Sequence, residues 1–261
     1  MVTLAAIFPP TQPPERIGAV AAAADAAGLA ELWVWEDCFK ESGIATATAM
    51  LAATSRVTVG IGLLPVPLRN VALTAMELAT LGRLFPGRLM AGVGHGVLNW
   101  MGQVGAWADS PMTLLREYTA ALYALLHGET VTARGRYVTL DAVALDWPPA
   151  VVPPLLVGGV RPRTVSLAGE LADGVIISSG PTPEEIRAAV GHFHAARAAV
   201  TGDVVVFTSA SAASPAEDIA AVVRGYAAAG ATRVAVNADE EDADLVRFVE
   251  VLAREVTPLL G

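Results

Sequence analysis

Short apolar runs of β type alternate with longer, alanine-rich stretches patterned as helices along the whole chain. The runs predict strands at Thr3–Phe8, Glu31–Trp35, Val57–Leu63, Arg88–Gly94, Pro154–Gly158, Gly174–Ser178, Asp203–Thr208 and Thr232–Val236. The intervening stretches predict helices near 14–28, 44–55, 70–84, 110–127, 161–171, 183–199, 215–229 and 240–257. Start signals agree. Pro13-Pro14-Glu15, Ser110-Pro111, Thr182-Pro183-Glu184-Glu185 and Ser214-Pro215 each set a cap or an N1 proline before a helical run. Gly28, Gly87, Gly128 and Gly230 fall near helix ends, where a left-handed residue is wanted. Strict alternation requires a parallel sheet, and eight such units close into a (β/α)8 TIM barrel, an α/β fold, with an open doubly wound sheet as the alternative. No linker interrupts the alternation, so residues 1–261 read as one domain. One stretch breaks the rhythm. Residues 129–153, between the fourth helix and the fifth strand, alternate like a small hairpin before Trp147-Pro148-Pro149 leads back to the barrel.

Composition narrows the function. Of 261 residues, 54% are hydrophobic and 16% charged, which supports a large core. The formal net charge is −9 and no basic stripe occurs, which argues against a nucleic-acid partner. Cys38 is the only cysteine, so neither an intramolecular disulfide nor a cysteine-based zinc site can form. The stretch MVTLAAIFPP lacks the basic region and long apolar core of a signal peptide, and no run of eighteen apolar residues escapes a charge, glycine or proline. A soluble cytoplasmic protein is expected.

In a barrel of this kind chemistry gathers at the C-terminal ends of the strands. Those ends carry Trp35-Glu36-Asp37-Cys38, Gly62-Leu63-Leu64, Gly94-His95-Gly96, Gly158-Gly159 and Ser178-Ser179-Gly180, with Ser209 and Asn237 on the last two strands. GVGHGV at 92–97 sets three alternate glycines around a histidine, as if something lies close against the backbone. It is not a dinucleotide fingerprint, because the next predicted helix begins only near residue 110. Neither a P-loop nor a G-x-S-x-G elbow is present. Of the four histidines, His192 and His194 stand two apart on a predicted helix and read as surface residues, and His127 ends a helix. His95 alone occupies a functional position, and no metal site is expected. Glu36 and Asp37 are adjacent carboxylates at the end of the second strand, readable as a solvated loop or as chemistry. Gly158-Gly159 and Ser178-Ser179-Gly180 each precede a helix start. They read either as ordinary turns or as two adjacent anion sites that grip one phosphate.

Asp37 after a Trp-rich second strand, VGIGLLPVPLRN at 59–70, GVGHGV at 92–97 and LLVGG…LAGELADGVIISSG at 155–180 carry a resemblance that covers nearly the whole chain. They resemble the luciferase-like oxidoreductase superfamily, and more narrowly its branch that uses the deazaflavin coenzyme F420. The resemblance implies a (β/α)8 barrel, with residues 129–153 a reduced form of the family's insertion. It implies a non-prolyl cis peptide at Gly62-Leu63 beneath the central ring of the cofactor, Asp37 near the deazaflavin, and Gly158, Gly159 and Ser178 at its phosphate. The candidate catalytic residues are then His95, Asp37 and Glu36. The candidate cofactor-binding residues are Asp37, Gly62, Leu63, Gly94, His95 and Val157, continuing through Gly158, Gly159, Ser178, Ser179 and Gly180. His95 would either move a proton or only hydrogen-bond the cofactor. Two departures stand out: Cys38 replaces a histidine found in several members, and Pro181 replaces a lysine found near the phosphate in some.

The implied activity is hydride transfer between coenzyme F420 and a small organic substrate. The alternatives are an FMN-dependent luciferase-like monooxygenase using reduced flavin and O2, or a non-catalytic flavin-binding barrel. Phe8, Trp33 or Trp35, Phe39, Trp100 and Trp107 suggest an apolar or planar substrate. The predicted helices 44–55 and 70–84 carry little charge on any face, which points to a homodimer through them.

Overall fold

The protein is described from a computed structural model that covers residues 2–178, 180–198, 201–240 and 243–261. Eight parallel strands form a closed barrel: β1 (Thr3–Phe8), β2 (Glu31–Val34), β3 (Thr58–Pro65), β4 (Leu89–Gly94), β7 (Leu155–Gly158), β8 (Gly174–Ile177), β9 (Asp203–Ala210) and β10 (Arg233–Ala238). They neighbour one another in that order, and β10 pairs with β1 to complete the circle. Around them lie α1 (Ile17–Ala27), α2 (Gly43–Ala52), α3 (Val71–Leu84), α5 (Pro111–Leu126), α6 (Pro162–Leu171), α7 (Pro183–Ala196), α8 (Ala216–Ala228) and α9 (Leu245–Val251). The alternation read from the sequence is therefore the architecture, and the open sheet is excluded.

Two cores result. The barrel interior is filled by Ile7, Trp33, Met90, Leu156, Ile176 and Phe207 together with small residues, while a larger apolar layer packs strands against helices. Trp33 dominates the interior and sets its neighbours. A Cβ on Gly60 would lie 2.3 Å from the Trp33 ring, so β3 carries a glycine there. The indole Nε1 donates to Glu31 at 3.0 Å. Glu31 is 4% exposed and also pairs with Arg233, which reaches Asp203 at 3.0 Å. Burial raises the Glu31 pKa, against the opposing pull of Arg233. This network closes the end of the barrel remote from the site.

The predicted insertion is a hairpin of β5 (Val131–Arg134) and β6 (Thr139–Val143). Glu117 of α5 fixes it by accepting backbone N–H bonds from Arg136, Tyr137 and Val138 at 2.8–3.1 Å. His127 ends α5 with its Nδ1 2.8 Å from the Tyr123 carbonyl, and His192 and His194 are exposed, as expected.

Differences from the expected boundaries concentrate at the strand ends. β2 stops at Val34 and releases Trp35 into the following loop, whereas β3 runs on to Pro65 with a register irregularity between Ile61 and Leu64. A short helix, α4 (Leu98–Gln103), fills what reads as loop after GVGHGV. The last helix begins at Leu245, where the Asp244 side chain caps it by accepting from the N–H of Arg247. Residues 199, 241 and 242, placed in helices by sequence, lie outside the described residues. No helix among the described residues is long and apolar enough to cross a membrane.

Candidate functional site

A cavity of about 630 Å³ opens at the C-terminal mouth of the barrel, within the range of cofactor and small-molecule sites. Its apolar part is made by Ile7, Trp35, Leu63, Pro65, Trp100 and Phe207. Glu36, Asp37, His95, Ser178, Ser209 and Asn237 supply its polar groups, and Gly62, Gly158, Gly159 and Gly180 its close-approach backbone. The candidates from β2, β3, β4, β7 and β8 thus meet in one place. Three do not. Val157 is fully buried between barrel and helices, and Gly94 lies under another side chain rather than on the cavity wall. Ser179 lies outside the described residues.

The bond Gly62–Leu63 is a non-prolyl cis peptide, at the position the resemblance implies. The Leu63 carbonyl accepts from the Glu36 N–H at 3.4 Å, which ties the bulge to the end of β2. The Leu63 side chain lies in a slot between two glycines. A Cβ would stand 2.5 Å from its Cδ2 at Gly94 and 2.3 Å at Gly158. At Gly92 a Cβ would meet the Ile61 carbonyl oxygen at 2.5 Å, and Gly96 turns the chain at φ +69°. The alternate glycines of GVGHGV are therefore explained by the chain's own third strand. They make room for the bulge, and the bulge faces the cavity.

Glu36 is occupied. Both of its oxygens pair with Arg69, and Oε2 also accepts the Gly43 N–H at 2.7 Å, capping the start of α2. Its side chain is 6% exposed, and Arg69 reaches Glu77 at 3.5 Å as well. A carboxylate so engaged positions the loop that carries Asp37; it is not a free acid or base. Arg69 belongs to the VPLRN block, and its partner was not legible by spacing. Cys38, next to Asp37, is buried. Burial, then the neighbouring Glu36 and Asp37, raise its pKa and keep the thiol protonated.

His95 is half-buried at the end of β4. Its Nε2 lies 3.4 Å from the Thr164 hydroxyl, while its Nδ1 is buried with no partner. Burial, and after it the Arg161 guanidinium, push its pKa below the ordinary histidine value, so the ring is neutral at pH 7. Across the cavity, Asn237 of β10 leaves its Oδ1 buried and unpartnered. Buried polar atoms without partners are uncommon, and these two, on residues from opposite sides of the cavity, leave unmet hydrogen-bonding capacity next to it. Asn237 was visible only as a strand-end residue; its buried oxygen is a structural result.

The two predicted anion sites differ. At α6, Arg161 stands at the N-cap with no side-chain cap; the Thr164 and Val165 N–H groups donate to the Arg161 carbonyl, and two exposed arginines, Arg161 and Arg163, add positive charge to this helix end. At α7, Thr182 and Glu185 form a capping box, with Glu184 also in the first turn. That end already carries its own negative charge. Of the two helix ends behind the glycine turns, the one past Gly158 and Gly159 is free of a side-chain cap, while Ser178 and Gly180 line the cavity before the capped one.

Residues 2–254 match the sequence model of the family described as luciferase-like monooxygenase. The chain belongs to this family. Among curated relatives of this luciferase-like chain, a 5,10-methylenetetrahydromethanopterin reductase of Methanolobus tindarius is 28% identical over 70% of the chain and 56% of its own length. An F420-dependent glucose-6-phosphate dehydrogenase of Nakamurella multipartita is 35% identical over 52% of the chain and 41% of its own length. The chain thus spans about half the length of the curated relatives it matches. Two solved structures agree along their full length. An F420-dependent secondary alcohol dehydrogenase, in complex with an F420-acetone adduct, superposes with a TM-score of 0.88 at 18% identity, covering 100% of this chain and 99% of its own. A monooxygenase from Streptomyces bottropensis does so with a TM-score of 0.85 at 16% identity, covering 100% of both chains. These likenesses establish the luciferase-like barrel.

Proposed function

We propose that this luciferase-like barrel is an oxidoreductase that uses the deazaflavin coenzyme F420 on a small organic substrate. The observation that carries the reading is the pair of unpartnered buried atoms, His95 Nδ1 and Asn237 Oδ1, on residues that line a largely apolar cavity. A flat ring system with hydrogen-bonding edges suits such a surface. Leu63, with Trp35 and Phe207 nearby, would hold the ring, and the open N-terminus of α6 with Arg161 would take the phosphate. When bound, the cofactor supplies hydride chemistry at its ring carbon. The chain's own contribution is to exclude water with the apolar wall, to orient the ring on the Gly62–Leu63 bulge, and to handle a proton at His95 Nδ1. Asp37, on the loop that Glu36 and Arg69 anchor, faces the same space.

An FMN-dependent monooxygenase is the second reading. It is favoured by the family description and by the monooxygenase neighbour, and it would use the same cavity. Titration of the protein with F420 and with FMN, followed by calorimetry and fluorescence, separates the readings. Saturable F420 binding with weak or no FMN binding is expected. Tight FMN binding without F420 affinity would sink the proposal, and binding of neither would indicate a non-catalytic barrel. The reading extends to a cytoplasmic location and to a homodimer; the dimer is supported by Leu73, Met76 and Leu84 of α3, which are 47%, 58% and 63% exposed.

A further inference from the structure

His95 offers two nitrogens, and the chemistry available at the cavity depends on which of them carries the proton. Its Nε2 faces Thr164, a buried residue in the first turn of α6, at 3.4 Å. The Thr164 hydroxyl lies in turn 3.5 Å from the Met112 sulfur, to which it can donate. Two arrangements are possible. In the first, Nε2–H donates to the Thr164 oxygen and the Thr164 hydroxyl donates to sulfur, so both contacts are hydrogen bonds. In the second, the hydroxyl donates to Nε2. The sulfur contact is then lost, and a proton must sit on Nδ1, where it would be a buried N–H without an acceptor. The first arrangement satisfies more groups. It also leaves the cheaper orphan, because buried N–H donors without partners are rarer than unpaired acceptors.

We infer that Thr164 is a positioning residue that holds His95 in its Nε2–H tautomer, leaving an unprotonated, buried Nδ1 on a residue that lines the cavity. The side chain is well placed for this. A Cβ on Gly159 would come within 2.4 Å of the Thr164 Cγ2, so the glycine at the end of β7 is what admits Thr164 to its place beside the histidine. His95 Nδ1 and Asn237 Oδ1 are then both acceptors, and any group that comes to bond His95 Nδ1 must bring an O–H or N–H. A hydroxyl-bearing substrate fits this demand, and a carbonyl oxygen does not. The inference rests on the proposed site only for its consequence; the tautomer belongs to the free protein.

Long-range 1H–15N correlation of the histidine rings in uniformly labelled, cofactor-free protein reads the tautomer directly, with the His95 signals assigned by their loss in His95→Ala. The wild type is expected to show a protonated Nε2 and an unprotonated Nδ1 above the His95 pKa. Thr164→Val keeps the side-chain shape but leaves Nε2–H against a methyl group, and a measurable share of Nδ1–H should appear. Thr164→Ser should restore the wild-type pattern. Protonated Nδ1 in the wild type would overturn the inference, as would an unchanged tautomer in folded Thr164→Val or a wild-type shift lost in Thr164→Ser. If Thr164→Val does not fold, the wild-type and serine spectra still decide. Failure of F420 to bind would refute the proposed function while leaving this result standing.

Discussion

Gly92→Ala tests whether the glycines of β4 exist to admit the third strand. The added Cβ would stand 2.5 Å from the Ile61 carbonyl oxygen and 2.6 Å from the Ile176 Cδ1. The isoleucine tip can rotate; the carbonyl is part of the β3 ladder and cannot. Overpacking of this kind costs about 1–3 kcal/mol, and a rigid backbone partner puts the cost near the upper end. Against it, replacing glycine by alanine relieves roughly 0.5–1 kcal/mol of chain entropy where the backbone conformation allows it. The net expectation is a loss of about 2 kcal/mol, or roughly 4–8 °C in Tm for a chain of this size. Urea melts of the variant and the wild type, analysed with a common slope, measure it. Gly94→Ala is the paired comparison. Its nearest atom is the movable Leu63 Cδ2, so it should cost less stability and act on ligand affinity by pushing Leu63 within the cavity. Gly102→Ala meets no atom within 4 Å and serves as the control. A Gly92→Ala loss below about 0.5 kcal/mol, no larger than an ordinary surface change, would refute the close-approach argument.

Other consequences are as direct. His95→Ala should lower single-turnover rates by about 10²–10⁴-fold with cofactor affinity nearly intact if His95 moves a proton. A loss of only roughly 0.5–1.5 kcal/mol in cofactor binding, with the rate unchanged, would assign it a holding role. Arg69→Ala leaves the buried Glu36 carboxylate without its ion partner and should destabilise the protein by about 3–5 kcal/mol in thermal or urea melts; a neutral result would show that the pair does not anchor the Asp37 loop. Burial acts to raise the Asp25 pKa, but hydrogen bonds from the Val57, Arg56 and Ser55 backbone and the Ser55 hydroxyl outweigh it, and the pKa lies at about 2 instead of 3.8. Because the folded pKa is depressed, the stabilisation is present above 3.8 and fades as pH falls towards 2. Asp25→Asn should therefore cost on the order of 1 kcal/mol at pH 7 after solvent screening, and much less near pH 2.5, in urea melts at the two values. Met76→Arg should convert a dimer to monomer in light scattering, and a wild-type monomer at micromolar concentration would remove the α3 interface from the account.

Alternation of apolar runs and helical stretches was enough for the barrel, because β/α period and cap chemistry are local properties. The strand-end rule then brought Asp37, Leu63, His95 and Gly159 to one cavity without any contact being known. What could not be read is what depends on long-range pairing. Glu36 looked like Asp37 in the sequence, and only its meeting with Arg69, thirty-three residues on, shows that it is an anchor. The glycines of GVGHGV pointed rightly to close approach, but the approaching object is Leu63 and the Ile61 carbonyl, brought there by the β3 bulge. Likewise the two glycine turns looked equivalent, and only the structure shows that the helix after one of them is capped by Thr182 and Glu185. Thr164 carried no signal, because a threonine in a helix's first turn is ordinary until a histidine from another strand stands beside it.

A crystal structure of the protein with F420 would show directly where the cofactor lies in the barrel mouth. The deazaflavin ring is expected on the Leu63 face of the barrel mouth, with an edge group within hydrogen-bond distance of His95 Nδ1 or Asn237 Oδ1 and the phosphate at the start of α6 beside Arg161. A ring bound elsewhere, or a phosphate seated at α7 with α6 left empty, would contradict this placement.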